Sequence, residues 1–471
     1  MKKGGGFKIL LFSAIAIKAM GFFYKLPLAN CLGEEMLGVY QLIFPIYALI
    51  LTLTSSSLTS AIAGRYALFD GFSENCDGFL TKSGIVGSVA LLLAAYPLAW
   101  LFKEERVALC FVILSPSVYF VARCAFYRGI SQGRENFSAT AVSEICEQLV
   151  KIAVSLPLLF IIKDKYVALI SAVFAITVSE AVAAAYLKRK VQFVRVKGKS
   201  ALRSKDLTLH VISFAVFPVC AFAESAFFVR FFGGVSAYGL YSGVALVVCG
   251  ISATAISALS VSILPKIAEK ANRKKSITSA VVASLMISIP FTIGIFLYPK
   301  EIVSVLFPRL AESGETAAYY LRLCSLIPVF QGLQLVTTAS MYGKREEKGA
   351  LIALATGGAS KIVTLIFGSI FSFGVETAIV SALIQYLLAA AINLVYIIRE
   401  REFGFDVSKA FAVSTYVLLV LIGTLAAKMY IKSLPALFTS VLYVGALLLF
   451  FALTMKLTLS NNEKGKKKNV G

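Results

Sequence analysis

The sequence predicts an all-α polytopic membrane protein with about fourteen transmembrane helices, arranged as two parallel six-helix repeats and two further C-terminal helices. Of its 471 residues, 58% are hydrophobic and 15% are charged, and the mean hydropathy is +0.83. That composition is too apolar for a soluble globular protein of this length. Two further observations support the prediction: about fourteen apolar stretches can each cross roughly 30 Å of hydrocarbon, and most of them belong to an internal repeat.

The repeat is visible in short motifs that return at a nearly constant distance. The offset is 201 for the first pair and 210 for the other two: Gly38-Val39-Tyr40 with Gly239-Leu240-Tyr241, Gly133-Arg134 with Gly343-Lys344, and Lys151 with Lys361. Tandem halves of membrane-spanning segments are typical of transporters whose substrate path lies between the halves. The duplication therefore indicates transport before any site is considered.

The predicted spans follow one another along the chain with short polar connections. They cover residues 9–29, 37–63, 80–102, 107–127, 136–162, 166–187, 208–232, 237–263, 277–299, 302–307 joined irregularly with 316–343, 349–371, 374–398, 408–427 and 434–455. Spans one to six form an N-lobe (1–187), a basic linker follows (188–207), and spans seven to twelve form a C-lobe (208–400). The two appended spans occupy 401–460, and a basic tail covers 461–471.

Orientation follows from the distribution of lysine and arginine, because cytoplasmic loops retain positive charge. With the N-terminus inside, inward segments hold roughly four times as many basic residues as outward loops. We therefore expect both termini in the cytoplasm and a multi-pass protein of the cell membrane. The net charge of +21 is explained by this bias and by attraction to anionic lipid headgroups, so a nucleic-acid partner is not expected.

The sequence offers no enzymatic or metal-binding pattern. The eight cysteines occur singly, without a CxxC pair, and there is one histidine, His210. Asp-x-Asp motifs and large outward loops are also absent from the sequence. We expect no catalytic residues, no metal and no cofactor, although a membrane-embedded glycosyltransferase and a non-transporting scaffold remain as minor alternatives.

Two lysines lie deep in the first predicted span. Lys18 is ten residues into it, and Lys25 follows two helical turns later on the same face, beside Gly21 and Ala14. A charge at this depth costs about 2.5 to 3.5 kcal/mol on insertion scales, so it needs a functional or structural reason. The repeat does not conserve either lysine in the second half. The functional interpretation is a cationic wall facing an anionic group in a water-filled cavity; the alternative is pairing with a carboxylate for packing.

Several carboxylates also lie within predicted spans. Glu147 precedes Lys151 by four positions, the favourable order for a helical ion pair, and Glu144 lies nearby. These three residues could brace one lobe or take part in ion coupling or gating. Glu224, deep in span seven, is the strongest candidate for proton or sodium coupling. Glu180, near the inner end of span six, is a further candidate for ion coupling or gating and is expected to be partly solvated.

Specific stretches resemble a known family. They are Lys18-Ala19-Met20-Gly21-Phe22-Phe23-Tyr24-Lys25, Pro45-Ile46-Tyr47, and Gly133-Arg134-Glu135-Asn136-Phe137 followed by Glu144 and Glu147-Gln148. These stretches resemble the stage V sporulation protein B and polysaccharide-biosynthesis flippases of the multidrug/oligosaccharidyl-lipid/polysaccharide exporter superfamily. The resemblance extends over nearly the whole chain and implies the two-lobed fold.

The resemblance also implies a function. In lipid II flippases of this superfamily, basic residues of the first span and one at the end of the second line a cavity, and the matching positions here are Lys18, Lys25 and Arg65. We therefore expect a flippase for an undecaprenyl-linked anionic oligosaccharide, used in peptidoglycan or other surface polysaccharide synthesis, with sporulation among the processes that the resemblance implies.

Partners and energy source follow from the same resemblance. The expected partners are the lipid-linked sugar, membrane lipids and cell-wall synthesis enzymes, and the expected oligomeric state is a monomer. Transport would use alternating access of the two lobes, coupled to protons, sodium or the membrane potential. The alternative within transport is an ion-coupled multidrug exporter, which would be expected to place carboxylates where Lys18 and Lys25 lie.

Overall fold

The computed structural model describes residues 5–52, 59, 62, 74–191, 205–268, 273–310, 312–404 and 407–430. Within these ranges the chain is helical, and no strand is present. The first half contains α1 (Gly5–Leu51), α2 (Glu74–Phe102), α3 (Arg106–Gly133), α4 (Phe137–Ile161) and α5 (Lys165–Lys190). At the start of α5, the Asp164 carboxylate accepts backbone N–H groups of Tyr166 and Val167 and so caps the helix.

The second half continues this helical pattern with more interruptions. It contains α6 (Lys205–Phe227) extended by a π turn (Phe228–Phe232), α7 (Gly234–Tyr238), a second π turn (Gly239–Ala245), α8 (Leu246–Ala268), α9 (Arg273–Leu297), α10 (Pro299–Leu306), α11 (Gly314–Leu323), α12 (Ile327–Gly343), α13 (Glu347–Ile370) and α14 (Glu376–Arg399). Helix α15 (Val407–Tyr430) follows the repeat.

A glycine interrupts the helical path at the same place in each half. Gly33 divides α1 with φ 72° and ψ 177°, and Gly234 begins α7 with φ 74°. Residues with a side chain rarely adopt such values, whereas glycine does so readily. The two glycines are 201 positions apart, the same offset as the Gly-x-Tyr motifs. The duplication therefore extends to the turn that separates the first two spans of each half.

Helix packing repeats in the second half as well. In the first half α1 packs on α4, α4 on α5, and α3 on both α2 and α5. In the second half α6 packs on α13, α13 on α14, and α12 on both α9 and α14. Each contact of the first set has its counterpart in the second, as expected for a duplicated bundle.

Buried apolar residues show how the two halves meet. One large core contains residues of both halves, including Tyr40, Phe111, Tyr241 and Phe307. Two smaller cores lie at the opposite end, one formed only by residues 62–191 and the other only by residues 256–397. The halves thus share a core near the Gly33 and Gly234 turns and have separate cores at the end that is predicted to face the cytoplasm.

These observations confirm the predicted fold class, an all-α multi-pass membrane protein. Ten helices among the described residues are long and apolar enough to cross a membrane. Helix α4 forms where span five was predicted, although it carries Glu144, Glu147 and Lys151. Span fourteen, the basic tail and most of the linker lie outside the described residues. The total of about fourteen spans and the cytoplasmic position of both termini therefore stay predictions.

Candidate functional site

Helix α1 carries the two predicted headgroup lysines along the boundary between the halves. Lys18 is exposed, and its ammonium donates a hydrogen bond to the Ser257 hydroxyl of α8 in the second half. Lys25 is partly buried, and the like charge of Lys151 on α4 lies in its neighbourhood. Arg65, the third predicted contact, lies outside the described residues.

Lys151 is held by aromatic and polar groups of α1 and α4. Its ammonium nitrogen lies 5.6 Å from the centre of the Tyr24 ring, within the range of a cation–π interaction. The Tyr24 hydroxyl is 2.8 Å from the Ser155 hydroxyl, which fixes the ring in this position. The predicted ion pair between Glu147 and Lys151 does not form.

Glu147 instead binds an arginine of the neighbouring helix. Its Oε2 atom is 2.8 Å from an Nη2 atom of Arg128, and the Arg128 Nε atom donates to the Ser143 hydroxyl at 3.1 Å. Arg128 is only 8% exposed and lies within α3, whereas the sequence placed it in a cytoplasmic loop. Glu144 also lies near this guanidinium group. A buried arginine requires a counter-charge, and α4 supplies it.

Glu180 is buried in the first half, contrary to the expected partial solvation. The carboxyl is 3% exposed, because α5 packs here against α3 and α4. Tyr47 of α1 donates its hydroxyl to Oε1 at 2.7 Å. The other carboxyl oxygen has no hydrogen-bond partner among the described residues.

Glu224 forms a buried charge pair in the second half. Lys361 of α13 donates to its Oε2 atom at 2.7 Å, and the two side chains are 5% and 7% exposed. Tyr241 donates its hydroxyl to Oε1, also at 2.7 Å. Tyr241 belongs to the repeated Gly-x-Tyr motif and lies in a π turn, a backbone distortion that is common at functional positions. Both oxygens of the Glu224 carboxylate therefore accept a hydrogen bond.

A further ionic cluster closes the predicted cytoplasmic end of the second half. Glu402 lies 3.0 Å from Arg273 and 2.7 Å from Lys344, and Lys344 also binds Glu400. Burial alone would raise the pKa of the Glu402 carboxyl, but hydrogen bonds from Lys344 and Arg273 hold that pKa below its usual value. The cluster joins the ends of α9, α12 and α14.

At the opposite end, polar contacts join the Gly33 turn to the second half. The Asn30 amide donates to the Leu306 carbonyl at 3.0 Å and accepts the Arg309 backbone N–H at 3.1 Å. The Ser313 hydroxyl donates to the Glu34 carboxylate. The two halves are thus held together at the predicted outward end.

The sequence identified some of these residues but missed others. Arg128, Tyr47 and Ser257 were not recognised, because their partners lie on other helices. The repeat offered one indication of which residues belong to these clusters, because it relates Lys361 to Lys151 and Tyr241 to Tyr40. Whether any of these charges couples transport to an ion stays a prediction.

Comparisons with known proteins agree with this architecture. The profile of the family described as "Polysaccharide biosynthesis protein" matches residues 4–270. The uncharacterized membrane protein YabM of Bacillus subtilis (strain 168) is 24% identical over 438 residues, which cover 84% of this chain and 79% of YabM. Stage V sporulation protein B of the same organism is 29% identical over 161 residues, 31% of this chain and 30% of that protein. The probable lipid II flippase MurJ of Aquifex aeolicus (strain VF5) is 30% identical over 146 residues, 30% of this chain and 28% of MurJ.

Solved structures show the same fold. A lipid II flippase MurJ in an inward closed conformation superposes with a TM-score of 0.73 at 15% identity, covering 96% of this chain and 99% of that one. A multidrug resistance MATE family transporter in an inward-facing conformation gives a TM-score of 0.64 at 14% identity, covering 86% and 98%. At these identities the likeness concerns the fold alone.

Proposed function

The chain belongs to the polysaccharide biosynthesis protein family, and on that premise we propose that it is a flippase for a polyprenyl-linked anionic oligosaccharide. The cargo class is an undecaprenyl-linked precursor of peptidoglycan or of another surface polysaccharide. Relatives named stage V sporulation protein B and probable lipid II flippase support this class. The protein would act as a transporter rather than as an enzyme.

The observation that carries the proposal is the cationic face of α1 at the boundary between the halves. Lys18 reaches a neutral hydroxyl of the second half, and the charge near Lys25 is that of another lysine, Lys151. Among the described residues, neither lysine has a carboxylate within ion-pairing distance. An uncompensated cation inside a membrane protein is a candidate position for binding an anion. A pyrophosphate carries at least two negative charges that cannot enter hydrocarbon alone, whereas the polyprenyl chain can remain in the lipid.

The packing supports alternating access between the two halves. They share one core near the Gly33 turn and have separate cores at the opposite end. An inward opening would admit the charged headgroup to α1, and rocking would separate the shared core and close the other end. A proton, sodium or membrane-potential gradient would set the direction of this cycle.

Translocation by purified protein in vesicles tests the proposal. A fluorescent polyprenyl-linked oligosaccharide is reconstituted with wild type, Lys18→Ala or Lys25→Ala, and the fraction that reaches the opposite leaflet is measured over time. Lys300→Ala is the matched control, since its ammonium is 70% exposed and paired with Glu315. We expect transport by wild type and by the control, and a severe loss in the two α1 variants.

Two outcomes would contradict this assignment. Unchanged flipping in both α1 variants would exclude the cationic face as the headgroup site. Failure of wild type to move the lipid, together with gradient-driven export of cationic drugs, would instead identify a multidrug exporter of the same fold.

A further inference from the structure

We propose that a cavity at the outward seam between the two halves binds an anionic phospholipid of the outer leaflet, with the lipid phosphate between Lys103 and Arg230. This cavity is separate from the cationic face of α1, because no residue of α1 lines it. The proposal goes beyond the proposed function and does not depend on what the protein transports.

The cavity joins elements of both halves. Its volume is about 220 Å³, and its walls come from the end of α2, the connection to α3 and the π turn after α6. The residues that line it are Ala99, Trp100, Lys103, Glu104, Glu105 and Arg230. Helices α2 and α6 also meet directly, where the rings of Phe102 and Phe222 pack edge to face at 5.9 Å. A molecule bound in the cavity therefore contacts both halves.

Arg230 is directed to this seam by the π turn Phe228–Phe232. Its guanidinium carbon lies 5.8 Å from the centre of the Trp100 ring, within the range of a cation–π interaction. The ring holds the guanidinium group beside the cavity without neutralising it. At the 201 offset Arg230 corresponds to Ala29, which is fully buried, so the duplicated fold does not itself require an arginine here.

Trp100 indicates the depth of the cavity in the membrane. It is the only tryptophan of the sequence, and its side chain is 74% exposed at the predicted outward end of α2. Tryptophan is enriched where the hydrocarbon meets the headgroups. Leu93 and Tyr96, seven and four positions earlier in α2, are also more than 70% exposed. This spacing places the three side chains along one face of the helix, which offers acyl chains an apolar surface leading to the cavity.

Lys103 supplies the second cation. It follows the last residue of α2 with φ 52°, a left-handed conformation that usually belongs to glycine at the end of a helix. Its side chain is exposed. A long charged residue held in this conformation is a backbone outlier of the kind that occurs at ligand sites.

The carboxylates that line the cavity do not neutralise these cations. Glu104 is bound on both oxygens by Arg106, at 2.6 Å from Nε and 2.8 Å from Nη2. Glu105 is exposed and begins α3, where the positive end of the helix dipole favours a negative charge. In the part of the chain that the structure describes, no carboxylate lies within 4 Å of the charged group of Lys103 or Arg230. Both groups can therefore donate to an added anion.

The phosphodiester of an anionic phospholipid matches this arrangement. It is negatively charged, and its oxygens can accept charge-assisted hydrogen bonds from an ammonium group and a guanidinium group at once. A choline or ethanolamine headgroup would add a positive charge beside Lys103 and Arg230, and like charges repel. We therefore expect phosphatidylglycerol to bind more tightly than phosphatidylcholine.

Native mass spectrometry of the delipidated full-length protein in detergent tests the proposal. Phosphatidylglycerol and phosphatidylcholine with identical acyl chains are titrated, and their dissociation constants are compared. Wild type should prefer phosphatidylglycerol several-fold. Arg230→Gln and Lys103→Gln should each weaken its binding about tenfold and leave phosphatidylcholine unchanged, since each loses one charge-assisted contact. Arg230→Lys keeps the charge and should retain most of the affinity.

Lys300→Gln is the matched control. It removes one positive charge from the same end of the protein, at a side chain that is 70% exposed and paired with Glu315. Its affinity for phosphatidylglycerol should equal that of wild type. A similar loss in Lys300→Gln would show attraction by surface charge in general, and equal affinities of wild type for the two lipids would exclude an anionic-lipid site.

Undecaprenyl phosphate is titrated in the same way to separate a resident lipid from transported cargo. Weaker binding than phosphatidylglycerol, without dependence on Arg230, supports the phospholipid site. Tighter binding that is lost in Arg230→Gln would assign the cavity to the cargo and overturn the proposal. None of these measurements involves translocation, so failure of the flippase proposal would leave their interpretation unchanged.

Discussion

Gly38 and Gly239, equivalent positions of the two halves, pack directly against each other. A methyl group added to Gly239 would lie 2.7 Å from the backbone nitrogen of Gly38. The surroundings are symmetric as well: a methyl group on Gly38 would meet the Val235 carbonyl, and one on Gly239 would meet the Glu34 carbonyl. Val235 and Glu34 are themselves 201 positions apart. The duplicated Gly-x-Tyr motif therefore forms a two-fold contact that brings the halves together at the predicted outward end.

Alanine at this contact is expected to hold the outward end open. In both Gly38→Ala and Gly239→Ala the new methyl group meets backbone atoms, which cannot rotate away, and overpacking of this kind costs about 1 to 3 kcal/mol. Closure of the outward end can be followed at Cys31, which lies two positions before Gly33 in α1. The measurement is its rate of labelling by a membrane-impermeant thiol reagent in a variant that lacks the other cysteines. Labelling should be several-fold faster in both alanine variants.

Gly21→Ala provides the control for this prediction. It lies in the same helix as Gly38, and a methyl group there would meet nothing within 4 Å. Its labelling rate should match wild type. Equal rates in all three variants would show that the glycine contact does not limit closure.

The buried pair of the second half predicts a strongly asymmetric response to mutation. Lys361→Met leaves the Glu224 carboxylate buried without its counter-charge, and breaking such a pair typically costs about 3 to 5 kcal/mol. In Glu224→Gln/Lys361→Met both charges are removed, so most of the stability should return. Thermal unfolding in detergent, followed by the fluorescence of Trp100, measures both variants. A double variant as unstable as Lys361→Met would contradict this account of the pair.

Much of the helical arrangement could be predicted, because hydrocarbon tolerates only long apolar segments with satisfied backbone groups. Residues 80–102 and 349–371 were predicted as spans; α2 covers the first, and α13 covers the second as far as Ile370. The connection between the first two spans was harder to predict. A helix that breaks at a single glycine needs no polar loop. The predicted spans therefore left only residues 30–36 unassigned between them, where the structure has the break at Gly33.

Charge partners could be predicted less well, since pairing depends on which helices are neighbours. Arg128 directly follows an apolar stretch and was assigned to a loop, but α3 continues to Gly133, and its partner Glu147 lies on α4. Glu224 and Lys361 are separated by 137 positions. One inference was available: Glu224 is the single acidic residue deep within a predicted span of the second half, so it was the natural partner for Lys361.

The ionic cluster around Glu402 predicts a pH-dependent contribution to stability. Because the folded-state pKa of Glu402 lies below its usual value near 4.3, the folded protein binds fewer protons here than the unfolded chain. The contribution is therefore complete above the unfolded pKa and is lost as the pH falls through the folded pKa. Glu402→Gln should reduce the free energy of unfolding at pH 7 by on the order of 1 kcal/mol and so lower the melting temperature. The difference from wild type should shrink below about pH 4.

The measurement is a series of melting curves from pH 7 to pH 3 for wild type and Glu402→Gln. Glu315→Gln serves as the control, because its side chain is 85% exposed and its pair with Lys300 should add little at any pH. A constant difference between wild type and Glu402→Gln across the series would show that the carboxylate charge is not responsible.

The Arg128–Glu147 pair distinguishes a bracing role for Glu147 from ion coupling. Arg128 joins α3 to two groups of α4, so bracing predicts that Arg128→Met loses about 3 to 5 kcal/mol of stability. Glu147→Gln should lose less, because the amide oxygen still accepts one hydrogen bond from the guanidinium group.

Coupling predicts a different result: Glu147→Gln would keep its stability, and its transport would no longer respond to an imposed proton or sodium gradient. Thermal unfolding and gradient-dependent flipping, measured on the same two variants, decide between the roles. The direct 2.8 Å contact favours bracing, so we expect reduced stability with an unchanged gradient response.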